Sequence, residues 1–419
     1  MKVHLEAYGC TQSLGESRLM AELLLRGGHD VSAPASEADA HLLVTCTVIE
    51  RTERDMVKRM WALAATGKPL VVAGCMAAAQ RGLVERVVPG AHLVPPRRWP
   101  EVAALFEVDT ACAERARDVE ARGFGHADVI VPIAQGCVGR CTYCITRVAR
   151  GRVTSCAAEE IVTRVRAHVD RGVREIKLTG QDTAAWGVDV GSSLPDLLAA
   201  IVAIPGDFRV RVGMADPLAV LPILDGLVDA YRSEKLFKFL HLPVQSGDDG
   251  MLGRMRRDYE VADFERIVRA FRAAHPELTL STDVIVGFPG ETEETVAATI
   301  ALLERVRPDV VNVTRFSSRP GTPAAAWEAP VGWRVKAWSR RVVAAKTRIA
   351  GGINAAHVGR ALRVLTTEVG KPGTTLARTD AYKQVVLPAE LPLGMFTTAT
   401  IVGSSGIDLT GRVSADPSL

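Results

Sequence analysis

The sequence is short of long apolar runs, of an excess of either charge and of cysteine, and each shortage narrows the class of protein. No apolar run approaches the roughly 18 residues that cross a membrane, and the start, MKVHLEAYGC, has no continuous apolar segment before a cleavage site. These absences predict a cytoplasmic protein with no membrane partner. Because 51 Lys and Arg residues nearly balance 48 Asp and Glu residues, overall charge does not indicate a nucleic-acid partner.

The eight cysteines are few for 419 residues, but they are informative. Cytoplasmic thiols stay reduced, so these cysteines indicate metal or redox chemistry more than structural disulfides. The length fits two to three domains, and a hydrophobic fraction of 47% is enough for ordinary buried cores. We therefore expect a globular protein of several domains whose chemistry depends on cysteine.

Residues 1–96 alternate short apolar runs with amphipathic stretches of helical length. The alternation predicts an open parallel α/β sheet, with strands near residues 2–8, 41–45, 69–74 and 91–95 and helices near residues 16–28, 49–65 and 78–88. Cys10, Cys46 and Cys75 directly follow the first three strands. Since the carboxyl ends of parallel strands share one edge of a sheet, we expect the three thiols to meet at one site. The alternative is that they are small buried apolar residues.

The chain after this region divides into a linker, a second α/β region and a β-rich tail. Residues 97–126 break the alternation and predict a linker, in which Cys112 has no partner at a suitable spacing. Residues 127–358 contain six strand–helix units and predict a partial (β/α)6 barrel, with strands near residues 129–136, 175–182, 208–214, 236–245, 278–290 and 309–318. Residues 359–419 predict a small all-β barrel of a kind that often binds oligonucleotides.

The segment CVGRCTYC, residues 137–144, follows the first barrel strand, where the chemistry of such barrels occurs. A [4Fe-4S] cluster has four irons and usually takes four thiolates, so three thiolates leave one iron free to bind a small molecule. Zinc is the competing interpretation, because cysteines with a fourth ligand such as His126 satisfy its tetrahedral preference. The C-x3-C-x2-C spacing differs from the paired C-x2-C of zinc ribbons, which favours the cluster.

The pattern of Cys137, Cys141, Tyr143 and Cys144 resembles that of radical S-adenosylmethionine enzymes. More specifically, the whole chain resembles the methylthiotransferases, which carry a second three-cysteine cluster in an N-terminal α/β domain and a small C-terminal β domain called TRAM. The resemblance rests on segments along the whole chain: YGCTQSLGES, VTCTV, AGCMAAAQ, GCVGRCTYCITRVARG, KLTGQDTAAWG, FLHLPVQSGDDGMLGRMRR, STDVIVGFPGET and NVTRFSSRPGTPA.

The resemblance implies two [4Fe-4S] clusters and S-adenosyl-L-methionine as cofactors. The cluster that binds S-adenosylmethionine, and whose reduction yields a radical able to remove hydrogen from an unactivated carbon, would be held by Cys137, Cys141 and Cys144. The auxiliary cluster, which presents the inserted sulfur, would be held by Cys10, Cys46 and Cys75. A second S-adenosylmethionine would supply the methyl group, and an external reductant and a sulfur donor are implied partners.

Further residues at strand ends are candidates for contact with S-adenosylmethionine: Tyr143, Gln181, Asp182, Gln245, Ser246 and Gly287. Tyr143 would flank the adenine, Gln181 and Asp182 would contact the methionine amine or the ribose, and Gly287 would allow close approach. The alternatives are that Tyr143 only packs against the strands and that the polar residues only cap helices.

Relatives of this kind divide into branches by substrate. One acts on isopentenyladenosine at position 37 of tRNA, one on N6-threonylcarbamoyladenosine at the same position of the anticodon loop, and one on an aspartate of a ribosomal protein. Cys-Thr-Val after the second N-terminal cysteine, with a charged helix following, most resembles the threonylcarbamoyladenosine branch, which implies a 2-methylthio product. Two other classes stay open, a zinc-stabilised RNA-binding protein and an electron carrier.

Local charge supports RNA binding more than overall charge does. Residues 333–360 contain Arg334, Lys336, Arg340, Arg341, Lys346, Arg348 and Arg360 and no acidic residue. This stretch suits phosphate contacts, while Trp333 and Trp338 are expected to face the barrel. In the tail, acidic residues nearly balance Arg363, Lys371, Arg378 and Lys383. RNA binding by the tail therefore rests on the resemblance.

Overall fold

The computed structural model describes residues 1–108 and 128–413. Cys112, His126 and most of the predicted linker lie outside the described residues, as do the last residues of the predicted tail barrel. The boundaries predicted after residues 96, 126 and 358 stay predictions. Among the described residues, no helix has the length and apolar character that crossing a membrane requires.

Four parallel strands form the N-terminal sheet, paired in the order in which they occur in the chain. They are β1 Val3–Ala7, β2 Ala40–Thr45, β3 Leu70–Gly74 and β4 His92–Val94. The central strands β2 and β3 are buried along their whole length, as expected for apolar strands of a parallel sheet covered on both faces. The predicted open parallel sheet is confirmed.

Helices cover both faces of this sheet: Thr11–Arg26, Glu50–Ala64, Cys75–Ala79, Arg81–Val87 and Val102–Leu105, with a 3-10 segment at Pro96–Glu101. Leu42 and Val44 pack into the hydrophobic cluster on one face, and Leu43 between them packs into the cluster on the other, because successive strand side chains point to opposite faces. The single helix predicted at residues 78–88 is wrong. Two short helices meet at Gln80, whose φ of −133° is not helical.

Six parallel strands form the central barrel: β5 Asp128–Pro132, β8 Glu175–Thr179, β9 Arg209–Arg211, β10 Phe239–His241, β11 Thr279–Val286 and β12 Val310–Arg315. After the first of them come two short antiparallel strands of two residues each, β6 Ala134–Gln135 and β7 Thr154–Ser155. Neighbouring strands pair in chain order, and single parallel bridges at Val210–Leu236 and Met214–His241 join β9 to β10. Among the described residues no pairing joins β12 to β5, so the barrel is partial, as predicted.

The barrel strands alternate with these helices: Ile145–Arg150, Ala158–Asp170, Leu194–Val202, Pro217–Val220, Leu224–Ala230, Asp249–Arg254, Val261–Ala274, Glu293–Val306 and Gly332–Ala355, with 3-10 turns at Leu221–Ile223 and Pro323–Ala326. Strand β10 is far shorter than the predicted 236–245. Pro243 lacks the N–H that a ladder needs, and Gln245 has a φ of +70°, so the chain leaves the sheet early. This irregular end enters the cavity described below.

The C-terminal strands form a small closed barrel, as predicted. They are β13 Ala361–Val369, β14 Thr375–Thr379, β15 Gln384–Leu387, β16 Phe396–Ser404 and β17 Leu409–Val413. This barrel docks at the amino ends of the central strands. The Tyr382 hydroxyl donates to the Glu175 carboxylate at 2.9 Å, and Arg209 donates to Asp380 at 3.2 Å. Glu175 and Arg209 are the first residues of β8 and β9, so the carboxyl edge of the barrel is left to the N-terminal sheet.

Substitution of Gly74, the last residue of β3 and the residue directly before Cys75, tests this local geometry. Its φ is +94°, and an added Cβ would lie 2.5 Å from the Thr45 carbonyl oxygen. We expect Gly74→Ala to lower the free energy of unfolding by roughly 1–3 kcal/mol, because it combines strain at positive φ with a backbone clash. Urea unfolding followed by circular dichroism measures the change.

The matched control is Gly82→Ala, in the helix Arg81–Val87. Its added Cβ would contact only an Arg86 side-chain nitrogen, at 3.6 Å. Alanine has the higher helix propensity, so this variant should be as stable as the unaltered chain or more stable by up to about 1 kcal/mol. Equal unfolding midpoints for the two variants would contradict the description of Gly74.

Candidate active site

A cavity of about 420 Å³ lies where the carboxyl edge of the N-terminal sheet faces the carboxyl edge of the barrel. Its wall includes Cys10, Cys46 and Cys75, here called the N-terminal triad. The same wall includes Cys137, Cys141 and Cys144, here called the barrel triad. The structure therefore brings together all the predicted cluster ligands, although they are spread over more than 130 positions of sequence.

The N-terminal triad is positioned by the ends of β1, β2 and β3. Cys10 lies at the start of the helix Thr11–Arg26, and Cys75 begins the helix Cys75–Ala79 directly after β3. Gly9 has a φ of +130°, and an added Cβ would lie 3.0 Å from the Cβ of Cys46. The glycine thus lets the first strand end approach the second cysteine.

The barrel triad occupies the loop between β6 and the helix Ile145–Arg150. Gly136, just before the loop, has a φ of +80°, and an added Cβ would lie 2.0 Å from the Arg152 carbonyl oxygen. Only glycine fits where the two ends of the loop meet so closely. Arg147 donates to the Cys137 and Gly151 carbonyl oxygens, which holds the loop against its own helix.

Burial raises the pKa of several of the cavity thiols. It raises the pKa of Cys75 to about 11, although the neighbouring Arg150 works in the opposite direction. Burial also raises the pKa of Cys137 and of Cys144, and the charge of Asp182 adds to the effect at Cys137. Buried neutral thiols are poor nucleophiles, so Cys75, Cys137 and Cys144 do not suit covalent catalysis by a free thiolate. Metal cations reverse this preference because a coordinating thiol is deprotonated.

The donor groups around the thiols fit iron–sulfur clusters. The Arg150 Nε donates to the Cys75 Sγ at 3.3 Å, the Gly139 amide to the Cys137 Sγ at 3.3 Å, and Arg257 to the Cys141 Sγ at 3.5 Å. Hydrogen bonds to sulfur are a main means by which proteins tune such clusters. In the described part of the chain, no three His, Cys, Asp or Glu side chains converge closely enough for one metal ion, whereas a cluster binds each thiolate at a different iron.

Three of the predicted S-adenosylmethionine contacts line the cavity: Tyr143, Gln181 and Gln245. The Gln181 side-chain oxygen accepts a hydrogen bond of 2.6 Å from the Gly136 amide, so Gln181 also supports the cluster loop. The Tyr143 ring meets Phe288 edge-on, with 6.1 Å between ring centroids. Tyr143 therefore both packs, as the alternative interpretation held, and faces the cavity.

The structure does not place the other three predicted contacts at the cavity wall. Asp182 is fully buried; its Oδ1 accepts from the Asp216 amide at 3.0 Å, and burial, with the charge of Asp216, raises its pKa to about 8. The Ser246 hydroxyl accepts from the Asp248 amide at 3.3 Å, in the turn before the helix Asp249–Arg254, which Asp248 itself caps. Gly287 has a φ of +82°, and Val335 fills the space beside it, 2.5 Å from where a Cβ would lie.

The wall also contains four titratable residues that the sequence did not single out: Asp216, His241, Arg257 and Asp283. Arg257 pairs with Asp216, and His241 Nε2 lies 2.9 Å from the Asp283 carboxylate, which also accepts from Asn312 at 2.7 Å. Burial raises the pKa of Asp283, but the hydrogen bonds of His241 and Asn312 and the charges of His241 and Arg257 together lower it overall. His241 and Asp283 lie on barrel strands, and Asp216 follows β9, so their position near barrel strands is the signal that could have identified them. Arg257 follows the helix Asp249–Arg254, and no such signal marks it.

The basic stretch after the barrel forms most of the helix Gly332–Ala355. Trp338 faces the protein, as expected, and its Nε1 donates to Glu293 at 2.6 Å. The same expectation is wrong for Trp333, which is 70% exposed because it lies in the first helical turn, beyond the edge of the core. The first turns of this helix lie beside the carboxyl end of β11, where Val335 packs on Gly287.

Three basic residues of the tail form ion pairs with acidic residues of the same chain. Arg363 pairs with Asp207 at 3.3 Å, Arg378 pairs with Glu368 at 3.6 Å, and Lys383 pairs with Asp309. Asp207 and Asp309 belong to the central domain, so two of these pairs fasten the small barrel to it. These charged side chains of the tail therefore help to dock the small barrel on the central domain.

The buried carboxyl group of Glu291, which accepts a hydrogen bond from the Gly287 amide, should make the stability of the protein depend on pH. Burial raises its pKa from 4.5 to about 7. The folded chain then holds this proton more tightly than the unfolded chain, so stability falls as pH rises from about 4.5 through about 7. Glu291→Gln removes this loss. Relative to the unaltered chain, the variant should gain about 1–3 kcal/mol at pH 8 and little at pH 4.5. Thermal unfolding at both pH values measures it, and an equal difference at both would contradict the assignment.

Comparison with known proteins defines the class first. A model of the Radical SAM superfamily matches residues 131–303, and a model described as uncharacterized protein family UPF0004 matches residues 2–94. The fold is similar to that of a radical S-adenosylmethionine methyltransferase, TsrM, from Kitasatospora setae, with a TM-score of 0.52 over 77% of each chain at 16% identity. The protein is a radical S-adenosylmethionine enzyme.

Full-length relatives define the family within this class. A protein of Pyrococcus horikoshii named "Probable threonylcarbamoyladenosine tRNA methylthiotransferase" is 39% identical over 99% of both chains. A protein of Anaeromyxobacter dehalogenans named "tRNA-2-methylthio-N(6)-dimethylallyladenosine synthase" is 34% identical over 99% of this chain and 94% of that one. The chain belongs to the radical S-adenosylmethionine methylthiotransferase family, in the branch of the threonylcarbamoyladenosine tRNA methylthiotransferases.

Proposed function

We propose that this protein modifies tRNA by inserting sulfur and adding a methyl group at C2 of N6-threonylcarbamoyladenosine, at position 37 of the anticodon loop. The observation that carries the proposal is that both thiol triads line the same cavity. Insertion of sulfur at an unactivated carbon requires one group that removes a hydrogen atom and another that presents sulfur, both within reach of the same carbon. The full-length similarity to proteins named for this activity supports the choice of substrate.

The triads would then hold two [4Fe-4S] clusters, one at the N-terminal triad and one at the barrel triad. When bound, these clusters and S-adenosylmethionine supply the one-electron chemistry, the sulfur and the methyl group. The chain's own residues position them. Tyr143 and Gln245 line the cavity and would contact S-adenosylmethionine from its wall. Gln181 holds the cluster loop, and Arg257 donates to a thiol from its pair with Asp216. An external reductant and a sulfur donor complete the reaction, and we place the protein in the cytoplasm.

Mass spectrometry of nucleosides tests the reaction. Anaerobically reconstituted enzyme with reductant, sulfide and S-adenosylmethionine should convert tRNA that carries N6-threonylcarbamoyladenosine to its 2-methylthio derivative. Cys10→Ala and Cys137→Ala should abolish the product, since each removes one ligand of a triad. The matched control is Cys156→Ala, because Cys156 is a free cysteine outside the cavity wall, and it should retain the product.

Other outcomes would redirect or end the proposal. Cleavage of S-adenosylmethionine without a modified nucleoside would reject this substrate, and tRNA with isopentenyladenosine or a ribosomal protein would be tested next. Product from both Cys→Ala triad variants would reject the two-cluster assignment. Stoichiometric zinc without iron or sulfide in anaerobically purified protein would instead favour an RNA-binding protein.

The start of the helix Gly332–Ala355 suits contact with the tRNA. We call its exposed Trp333, Lys336 and Arg340, together with the adjacent Arg334, the basic helix face. Trp333, Lys336 and Arg340 are spaced by three, four and seven positions and so share one side of the helix, and the exposed Arg334 lies next to Trp333. Among the described residues, Arg334, Lys336 and Arg340 have no acidic partner within ion-pair distance, and the Arg334 guanidinium lies 5.4 Å from the Trp333 ring centroid. Free cations beside an exposed aromatic ring are suited to phosphates and unpaired bases.

Charge reversal tests this face. Lys336→Glu with Arg340→Glu should weaken tRNA binding, because phosphate contacts are lost, and should reduce the slope of log affinity against log salt by about 2. The control reverses Arg341 and Arg348, which lie on the same helix but pair with Glu293 and Glu304. It changes net charge equally and should leave the slope nearly unaltered. Fluorescence anisotropy at several salt concentrations measures both, and equal slopes would reject the basic helix face.

A further inference from the structure

Arg150 makes contacts that an ordinary ion pair between domains does not require. It is the last residue of the helix Ile145–Arg150, and its side chain is fully buried. Two guanidinium nitrogens donate to the two carboxylate oxygens of Glu16, one of them at 2.8 Å. The third nitrogen, Nε, donates to the Cys75 Sγ at 3.3 Å. A residue of the barrel thus reaches a thiol of the N-terminal triad.

The pair with Glu16 explains why a charge can be buried here. An isolated buried charge is costly, but a bidentate carboxylate neutralises the guanidinium and fixes its plane. Fixing that plane also fixes the direction of the Nε–H bond, which points at sulfur. A pair that only joined two domains would need Glu16 alone, so the sulfur contact calls for a separate explanation.

The helix that carries Arg150 serves both triads. Its first residue follows Cys144, and Arg147 donates to the Cys137 carbonyl oxygen. Arg150, one helical turn later, reaches Cys75. The backbone is anchored from outside as well, because Arg97 donates to the Arg150 carbonyl oxygen at 2.8 Å. One six-residue helix therefore carries both Arg147, which contacts the backbone of the barrel triad, and Arg150, which contacts a sulfur of the N-terminal triad.

We propose that Arg150 is a positioning residue for the cluster at the N-terminal triad, where it raises the reduction potential through its hydrogen bond to the Cys75 sulfur and sets the distance to the barrel triad. The inference rests on the proposed function, since it requires a cluster at the N-terminal triad. A donor to sulfur stabilises the more negative, reduced cluster, and a fixed donor does so without reorganisation.

The test isolates the auxiliary cluster. In a parent chain with Cys137→Ala, Cys141→Ala and Cys144→Ala, only the N-terminal triad can bind a cluster. The parent is reconstituted anaerobically, its iron and sulfide are measured, and its reduction is titrated against potential by electron paramagnetic resonance. Arg150→Met in this parent should make reduction about tenfold less favourable, which for one electron is a shift of about 59 mV to more negative potential.

Glu16→Gln should shift the potential in the opposite direction, because it leaves the guanidinium positive charge without its carboxylate. Opposite signs distinguish tuning from loss of structure, which would lower cluster content in both variants alike. Arg150→Lys keeps the charge but not the planar fork, so it should shift the potential as Arg150→Met does, but less. It provides the test if Arg150→Met fails to fold.

Arg319→Met is the matched control. Arg319 is buried and joins the barrel to Glu53 and Thr47 of the N-terminal domain, and it donates to none of the thiols in residues 1–108 and 128–413. This variant should bind iron and titrate as the parent does. Unchanged potentials in the Arg150 and Glu16 variants, or an equal shift in Arg319→Met, would overturn the inference. If the parent itself binds no iron and sulfide, the two-cluster proposal fails instead, and the two failures are thereby distinguished.

Discussion

The structure depends on one constraint, which is that the carboxyl edges of two separate parallel β systems face each other. In each system the loops that follow the strands carry cysteines, so the facing arrangement converts two linear patterns into one cavity. The C-terminal barrel occupies the opposite, amino-terminal end of the central strands. Chemistry and docking are therefore separated to the two ends of one barrel, and neither competes with the other for space.

The features that the sequence predicted correctly were those encoded by neighbouring residues. Alternation of apolar runs predicted both sheets, and cysteines directly after strands predicted which side chains would meet. The break at Gln80 and the exposure of Trp333 are local errors, whereas other features were missed because the partners are distant in sequence. Val335 beside Gly287, and Glu16 beside Arg150, are separated in the chain by tens to more than one hundred positions. A pattern within one segment contains no information about which distant side chain will occupy the space next to it.

Charge shows the same limit. In the sequence, acidic residues of the tail nearly balance its basic residues, but which of them pair was not predictable. In the structure, Arg363 and Lys383 pair with acidic residues of the central domain. Composition counts cations but does not reveal their partners. The basic helix face was identifiable only as a charged stretch, and its free side chains became distinct from the paired Arg341 and Arg348 only when Glu293 and Glu304 were located.

Three buried arginines each have a carboxylate partner: Arg150 with Glu16, Arg257 with Asp216, and Arg319 with Glu53. Arg150 and Arg257 line the cavity. Two of these pairs cross between the N-terminal sheet and the barrel. Separating the domains would leave each member without its partner, and breaking a buried pair costs about 3–5 kcal/mol when the remaining charge stays buried. Apolar contacts could hold the domains equally firmly, but they would tolerate sliding. The bidentate pair of Arg150 with Glu16 does not, so it suits a cavity in which two groups of thiols must keep a set separation.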